Sequence, residues 1–130
     1  MANAHLQQSA RATRWLRIIA AWLLSVVLAF LFVMAGGMKL VSRPNMVAEF
    51  NQVGLGQWFR YFTGTLEVTG AIGVLIPAVS SWAALLLSVV MVGAIVAHLT
   101  VLNSPPTLPA VLLALALALA WLRRGTMNGS

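Results

Sequence analysis

Glu67 lies within an apolar stretch, residues 61–79, and Glu49 is the only other acidic residue of the chain. A charged side chain at the centre of a membrane helix costs about 2.5 to 3.5 kcal/mol on insertion scales, so it usually faces a bundle interior or a water-filled cavity and has a partner. Two titratable side chains in neighbouring apolar runs can be that partner, Lys39 and His98. These three residues are the candidates for a ligand-binding site, a proton site or a structural ion pair.

The three candidates are predicted to lie at a similar depth and to face one another. At 1.5 Å per residue, Glu67 lies about 9 Å and His98 about 7 Å from the same end of the bundle, and Lys39 closes the first helix. Small residues stand three or four positions from Glu67, where they allow helices to approach closely: Thr63, Gly64, Gly70 and Ala71.

We therefore predict one polar cluster of Lys39, Glu67 and His98. Two interpretations of this cluster stay open. In the first, Lys39 and Glu67 form an ion pair with His98 as a hydrogen-bond partner, because buried charges need partners. In the second, the same groups bind a ligand or move a proton.

The composition is that of a membrane protein. Of the 130 residues, 61% are hydrophobic and 8% are charged, with a mean hydropathy of +0.93, whereas about a quarter of the residues in an average soluble domain are charged. Four apolar runs approach the length of about 20 residues that a spanning helix needs: residues 18–38, 61–79, 82–102 and 108–122. The sequence predicts an all-α membrane protein, an antiparallel up-down bundle of four transmembrane helices over residues 18–122.

The distribution of Lys and Arg predicts the orientation of this bundle. With an even number of spans, five bases fall on one side of the membrane: Arg11, Arg14, Arg17, Arg123 and Arg124. Three fall on the other side: Lys39, Arg43 and Arg60. The basic segment 1–17 and the tail 123–130 are therefore both predicted to be cytoplasmic.

The loop between the first and second spans is predicted to contain a short amphipathic helix. Pro44 suits the first position of a helix and Gly54 suits its end. Met46 and Phe50 fall on the apolar face of the segment between them. We expect this helix to lie at the outer interface, either as a lid over the polar cluster or simply packed on the end of the bundle.

The sequence excludes several classes of chemistry. The chain has no cysteine, so it has no disulfide, thiol redox catalysis or thiolate metal site. It has no phosphate-binding glycine loop, nucleophile elbow or metal-spaced His/carboxylate motif. No metal is therefore expected, and the chain is not expected to be catalytic on its own. The net charge is +6, but the bases stand at the ends of the apolar runs, where they contact lipid headgroups, so nucleic acid is not expected as a partner.

Three stretches of the chain resemble the DoxX family: residues 36–40 (GGMKL), 64–77 (GTLEVTGAIGVLIP) and 94–98 (AIVAH). The likeness extends roughly over residues 20–122. It implies a four-helix protein of the bacterial inner membrane, related to the small membrane subunit of an archaeal thiosulfate:quinone oxidoreductase. It also implies a distant similarity to eukaryotic four-helix proteins that assist receptor assembly or cargo traffic. Such a resemblance fixes architecture better than activity.

The expected function is that of a binding or accessory subunit, associated with a membrane oxidoreductase complex. It would hold a quinone-like or lipid-like molecule in a polar pocket near the outer leaflet. Two alternatives stay open: a scaffold or assembly factor for another membrane protein, and a small proton-coupled transporter that uses Glu67. The expected partners are membrane lipids, a small hydrophobic ligand, and a partner subunit or a second copy of the chain.

Overall fold

The fold was analysed in a computed structural model that describes residues 2–125. Five helices follow one another in this range: α1 (Ala2–Leu40), α2 (Pro44–Val53), α3 (Gln57–Val74), α4 (Ser80–Thr100) and α5 (Thr107–Leu122). No strand occurs between residues 2 and 125, so the predicted all-α class is confirmed. Most of the predicted tail, residues 126–130, lies outside the described residues.

Helix α1 is longer than the span predicted for it. Its 39 residues begin at Ala2 and rise about 58 Å, nearly twice the hydrocarbon thickness of about 30 Å. Residues 3–17 contain no Gly or Pro and are rich in Ala, Gln and Arg, which favour helix. The helix therefore continues upstream of residue 18. Every side chain from 3 to 20 is exposed, and burial begins at Ala21.

Helix α2 lies where the sequence predicts a short helix. Pro44 occupies its first position, and Gly54 follows its last residue with a φ of +84°. The Gly54 N–H donates a hydrogen bond of 3.2 Å to the Phe50 carbonyl. A left-handed residue at this place ends a helix, and glycine adopts that conformation without steric cost.

Helix α3 ends at Val74, before the predicted end of the second span at residue 79. The chain tightens there, because the Leu75 and Ile76 N–H groups donate to carbonyls three residues earlier, at 3.1 Å each. Pro77 then follows, and proline cannot continue a helix. The resulting turn leads directly into α4 at Ser80.

Helices α1, α3, α4 and α5 pack antiparallel around one apolar core. Near the start of α4, the Ser81 hydroxyl donates a 2.6 Å hydrogen bond to the Ala120 carbonyl near the end of α5. The largest apolar side chains that are completely buried come from all four helices: Leu28, Phe32, Val74, Leu87 and Leu119.

The two ends of this bundle differ in what they carry. One end holds α2 and the loop between α4 and α5, and we call it the α2 end. The opposite end holds the α3–α4 turn and five arginines, and we call it the basic end. A cavity at each end is described below.

Among residues 2–125, two helices are long and apolar enough to cross a membrane: Asn3–Leu40 and Ser80–Thr100. Helix α5 is apolar but has 16 residues, which rise about 24 Å. Helix α3 has 18 residues, but its sequence is diluted by Thr, Gly and a carboxylate. The prediction of four spans is therefore confirmed only as far as an all-helical chain with two clearly apolar helices.

Replacing Gly36 by Ala should loosen the contact between α1 and α3. A Cβ at Gly36 would lie 2.7 Å from the Gly64 carbonyl oxygen and 2.8 Å from a Val68 methyl group, so the helices must move apart, at a cost of about 1 to 3 kcal/mol. Gly37→Ala is the matched control, because a Cβ there meets nothing within 4 Å. Both variants gain similar helix propensity. Thermal unfolding in mild detergent should show a lower Tm for Gly36→Ala only, and equal Tm values for the two variants would contradict the packing described here.

Candidate functional site

The contact between α1 and α3 is set by two glycines that face each other. A Cβ at Gly36 would meet the Gly64 carbonyl oxygen at 2.7 Å, and a Cβ at Gly64 would meet the Gly36 carbonyl oxygen at 3.0 Å. The two backbones therefore touch with no side chain between them, as at small-residue interfaces in membranes. Glu67 on α3 lies beside Gly36 and Lys39 on α1 lies beside Gly64, so the lysine side chain extends past the crossing to meet the carboxylate.

Lys39 and Glu67 form a buried ion pair. The Lys39 Nζ lies 2.9 Å from the Glu67 Oε1, and the two side chains are 14% and 1% exposed, respectively. Lys39 Nζ also lies 3.5 Å from the Ala35 carbonyl oxygen, to which it can donate. The lysine therefore reaches from the α2 end of the bundle into the interior, where it balances the charge of the carboxylate. A buried charge without such a partner would be strongly unfavourable.

Glu67 has few polar neighbours other than this lysine. Among the described residues, no side chain or backbone group donates a hydrogen bond of good geometry to either carboxylate oxygen. The contact with Lys39 is thus a close charge pair rather than a member of a hydrogen-bond network. A Cβ added at Gly36 would lie 3.0 Å from the Glu67 Cβ, so Glu67 packs against α1 at this glycine. The carboxylate is therefore buried, and Lys39 is its charged neighbour.

Arg60 fixes the end of α1 that carries Lys39. The Arg60 Nη1 donates to the Lys39 backbone carbonyl and to the Ser42 hydroxyl, and the Nε donates to Gln57 Oε1 at 2.7 Å. The guanidinium also lies 4.2 Å from the centre of the Tyr61 ring. Arg60 is only 3% exposed, so it is a buried cap on the carboxyl end of α1 rather than a base at the membrane surface.

His98 has polar contacts other than the predicted ones. Its Nδ1 lies 2.6 Å from the Ser104 hydroxyl oxygen, and its Nε2 lies 3.9 Å from the Glu49 Oε1. The structure thus brings Lys39 and Glu67 together but gives His98 no hydrogen bond or ion pair with either of them. The reason is that the α4–α5 loop folds back over the end of α4, where the Ser104 N–H donates to the His98 carbonyl at 3.1 Å.

A shallow, open cavity of about 470 Å³ lies at the α2 end. Its walls come from α2 and from the α4–α5 loop, and they carry amide, carboxylate, hydroxyl and apolar groups: Asn45, Met46, Ala48, Glu49, Gln52, Leu102 and Ser104. Two of these residues, Glu49 and Ser104, are also the contacts of His98. This α2-end cavity places hydrogen-bonding groups next to apolar surface.

The two predicted lid residues have different surroundings. Met46 lines the α2-end cavity. Phe50 is buried and packs on Phe59 of α3, with ring centres 5.9 Å apart. Helix α2 is also held by two amides, because Gln57 donates to the Val47 carbonyl at 3.1 Å and Gln52 donates to the Val101 carbonyl at 3.3 Å.

Within residues 2–125, no three His, Cys, Asp or Glu side chains come together as metal ligands. The chemistry available to the site is therefore ion pairing inside the bundle and hydrogen bonding at the α2-end cavity. Glu49 and Arg60 are the residues of the site that sequence reasoning missed. Arg60 was predicted only as one of three bases on that side of the membrane, and Glu49 was not predicted as a contact of His98.

The ion pair should be detectable as an energetic coupling between its two members. Lys39→Met leaves a buried carboxylate without a counter-charge and should cost about 3 to 5 kcal/mol. Glu67→Gln should cost less, because the 14% exposed lysine can turn its ammonium toward water. The double variant should lose about 1 to 3 kcal/mol less stability than the sum of the two single losses. Unfolding of the four proteins in detergent, analysed as a double-mutant cycle, measures this difference.

The matched control for this cycle combines Glu67→Gln with His98→Ala. Because His98 has no polar contact with Glu67, these two changes should be additive within about 0.5 kcal/mol. Coupling of Glu67 to His98 that equals its coupling to Lys39 would contradict the arrangement described here.

Comparison with known proteins identifies a family. The model of the DoxX-like family matches residues 23–121, which include the ion pair and the α2-end cavity. No curated protein and no solved structure matches the chain. The family and the two clearly apolar helices together indicate a membrane protein. With about three quarters of its length matched, the chain belongs to the DoxX-like family.

Proposed function

We propose that this DoxX-like protein is a binding or accessory subunit that holds the head group of a quinone-like or lipid-like molecule in the α2-end cavity. The observation that carries the proposal is the cavity itself, about 470 Å³ in volume and lined by both polar and apolar groups. Small-molecule sites commonly have volumes of about 300 to 1,000 Å³ and a few placed polar groups on an apolar wall.

The lining groups suit a ligand with hydrogen-bond acceptors on a flat apolar ring. The amides of Asn45 and Gln52 and the hydroxyl of Ser104 can donate hydrogen bonds to the carbonyl oxygens of such a ring. Met46 and Leu102 offer apolar surface for the ring face, and a thioether adapts readily to an aromatic or quinoid partner. An ionised carboxylate can accept hydrogen bonds but cannot donate them, so Glu49 would favour a hydroxyl-bearing, reduced ring or a lipid head group.

The ion pair has a supporting role in this proposal. Lys39 and Glu67 hold α1 and α3 together beneath the cavity, and Arg60 ties the end of α1 to α3. The proton-coupled transporter alternative would require the closed pair to open, because Glu67 is 1% exposed and 2.9 Å from the Lys39 ammonium. The scaffold alternative is favoured by a different feature, the exposed start of α1, which offers a partner chain an unoccupied helix. Any sulfur redox chemistry would lie in such a partner, since this chain has no cysteine.

We further propose that helices α1, α3, α4 and α5 all cross the bacterial inner membrane, with the α2 end outside and both termini in the cytoplasm. Helices α3 and α5 can cross with less than a full 30 Å of apolar surface, because the bilayer thins locally around a short helix. The polar groups of α3 can face the interior of the bundle, where the other helices shield them from lipid. The basic end carries five arginines and the α2 end carries three bases, which supports this orientation.

Cysteine labelling should establish the number of spans, and the chain is suited to it because it has no native cysteine. If four helices cross, Thr107→Cys lies outside and Val79→Cys lies inside. If only α1 and α4 cross, these two positions exchange sides. A membrane-impermeant thiol reagent on intact spheroplasts should therefore label Thr107→Cys and not Val79→Cys, and the reverse pattern would contradict four spans.

Filling the α2-end cavity should remove the ligand. Ala48 lines the cavity, so Ala48→Trp occupies much of it, whereas Ala110→Trp adds the same side chain at an exposed position of α5 near the same end. Native mass spectrometry of the wild-type protein in mild detergent should show a retained isoprenoid quinone or lipid. Occupancy should fall at least fivefold in Ala48→Trp and stay unchanged in Ala110→Trp.

The same spectra separate the candidate functions. A companion chain in the wild-type spectrum supports the accessory role. Equal occupancy in Ala48→Trp and the wild type would show that any retained molecule lies elsewhere and would contradict the proposed cavity. A bare chain that also fails to bind added decylubiquinone would contradict the binding function.

A further inference from the structure

The basic end of the bundle has a cavity of its own, separate from the site described above. It has a volume of about 260 Å³ and lies between the start of the apolar part of α1, the α3–α4 turn and the end of α5. Two arginines and a set of mostly apolar residues form its walls: Arg17, Ile18, Ala21, Trp22, Pro77, Leu122, Arg123 and Gly125. We call it the terminal groove.

Arg123 is held in place in the wall of the terminal groove. Its guanidinium lies 4.7 Å from the centre of the Trp22 ring, and its Nη1 lies 3.4 Å from the Val74 carbonyl oxygen. The residue is only 9% exposed. Burial lowers the pKa of the Arg123 guanidinium from its ordinary value, but an arginine keeps its proton at physiological pH. A fixed, largely desolvated cation therefore forms one side of the groove.

Arg17 supplies a second cation to the lining of the terminal groove. It is exposed and stands one residue before Ile18, where the uncharged apolar part of α1 begins. Its guanidinium thus belongs to the level at which a lipid headgroup meets the hydrocarbon. Two guanidiniums that line one groove can each donate paired N–H groups to the oxygens of a phosphate.

The field at this end attracts anions. The two acidic side chains of the chain stand elsewhere, Glu67 beside Lys39 and Glu49 near His98. Three further arginines extend the positive charge around the groove: Arg11, Arg14 and Arg124. Basic residues near a membrane surface attract anionic lipids.

We propose that the terminal groove binds the phosphodiester headgroup of an anionic phospholipid. Arg17 and Arg123 hold the phosphate, and Trp22, Pro77 and Leu122 contact the glycerol and the first part of the acyl chains. The apolar walls favour this lipid over free phosphate, because free phosphate has no apolar group that could contact them. Trp22 has the amphipathic ring that is common at this level of a membrane.

Lipid binding to the full-length protein tests the proposal. Native mass spectrometry in mild detergent, at physiological ionic strength, should show phosphatidylglycerol bound at least tenfold more tightly than phosphatidylcholine with the same acyl chains. Arg17→Gln and Arg123→Gln should each weaken phosphatidylglycerol binding at least fivefold. Ala48→Trp should leave it unchanged, because the terminal groove and the α2-end cavity are separate sites.

Two matched controls remove the same charge outside the groove. Arg124 is exposed, lies 4.2 Å over the Trp121 ring and donates to the Trp121 carbonyl, and Arg14 stands one turn before Arg17. Arg124→Gln and Arg14→Gln should each change affinity less than twofold. If Arg123→Gln fails to fold, the affinities of Arg17→Gln and Arg14→Gln for phosphatidylglycerol are compared instead.

Three outcomes would overturn the proposal. Equal affinities for the two phospholipids would show that the groove does not select an anionic headgroup. An equal loss in the groove variants and their controls would show a diffuse electrostatic effect. Displacement of the lipid by millimolar glycerol 3-phosphate would show a site for soluble phosphates, whereas no displacement supports the lipid.

Discussion

The backbone contact of α1 with α3 at Gly36 and Gly64 is the constraint on which the rest of the structure depends. Because neither position carries a Cβ, the helices approach until main-chain atoms touch. That separation is short enough for Lys39 to reach Glu67 across the interface at 2.9 Å. Enclosing two charges costs desolvation free energy, which only close and well-ordered pairing offsets. The glycine crossing and the ion pair therefore depend on each other.

The polar groups of the chain divide into an interior set and two end sets. The interior set, Lys39 and Glu67 with Arg60 behind them, is closed by packing and holds helices in place. Ligand chemistry is proposed at the two ends, where cavities open beside His98 and beside Arg123. This division is physically reasonable for a small membrane bundle. Buried charges are tolerated when they are paired and held in place, whereas exchangeable ligands enter through openings near the headgroup level.

Part of this arrangement could be predicted from the sequence. Pro44 and Gly54 bound α2 because proline and glycine have fixed roles at helix ends. The pairing of Lys39 with Glu67 follows from a lone carboxylate among small residues. The partner of His98 could not be predicted, because it depends on how the α4–α5 loop folds back and on where α2 is docked. Arg60 was not predicted as a buried cap, since a base near a helix end fits a surface role equally well. The upstream extension of α1 was missed because a polar segment gives no apolar periodicity.

The most direct test of the account is the distance between Lys39 and Glu67 in a lipid bilayer. Lys39 is the only lysine and Glu67 is one of two glutamates, so ¹⁵N-lysine and ¹³C-glutamate labelling isolates the pair without any mutation. Rotational-echo double-resonance NMR on the reconstituted protein should show strong dipolar dephasing between Lys39 Nζ and the Glu67 side-chain carboxyl carbon, as expected for a contact of 2.9 Å. An absence of measurable dephasing would mean that the two side chains are apart in the membrane, and the account of the site would be wrong.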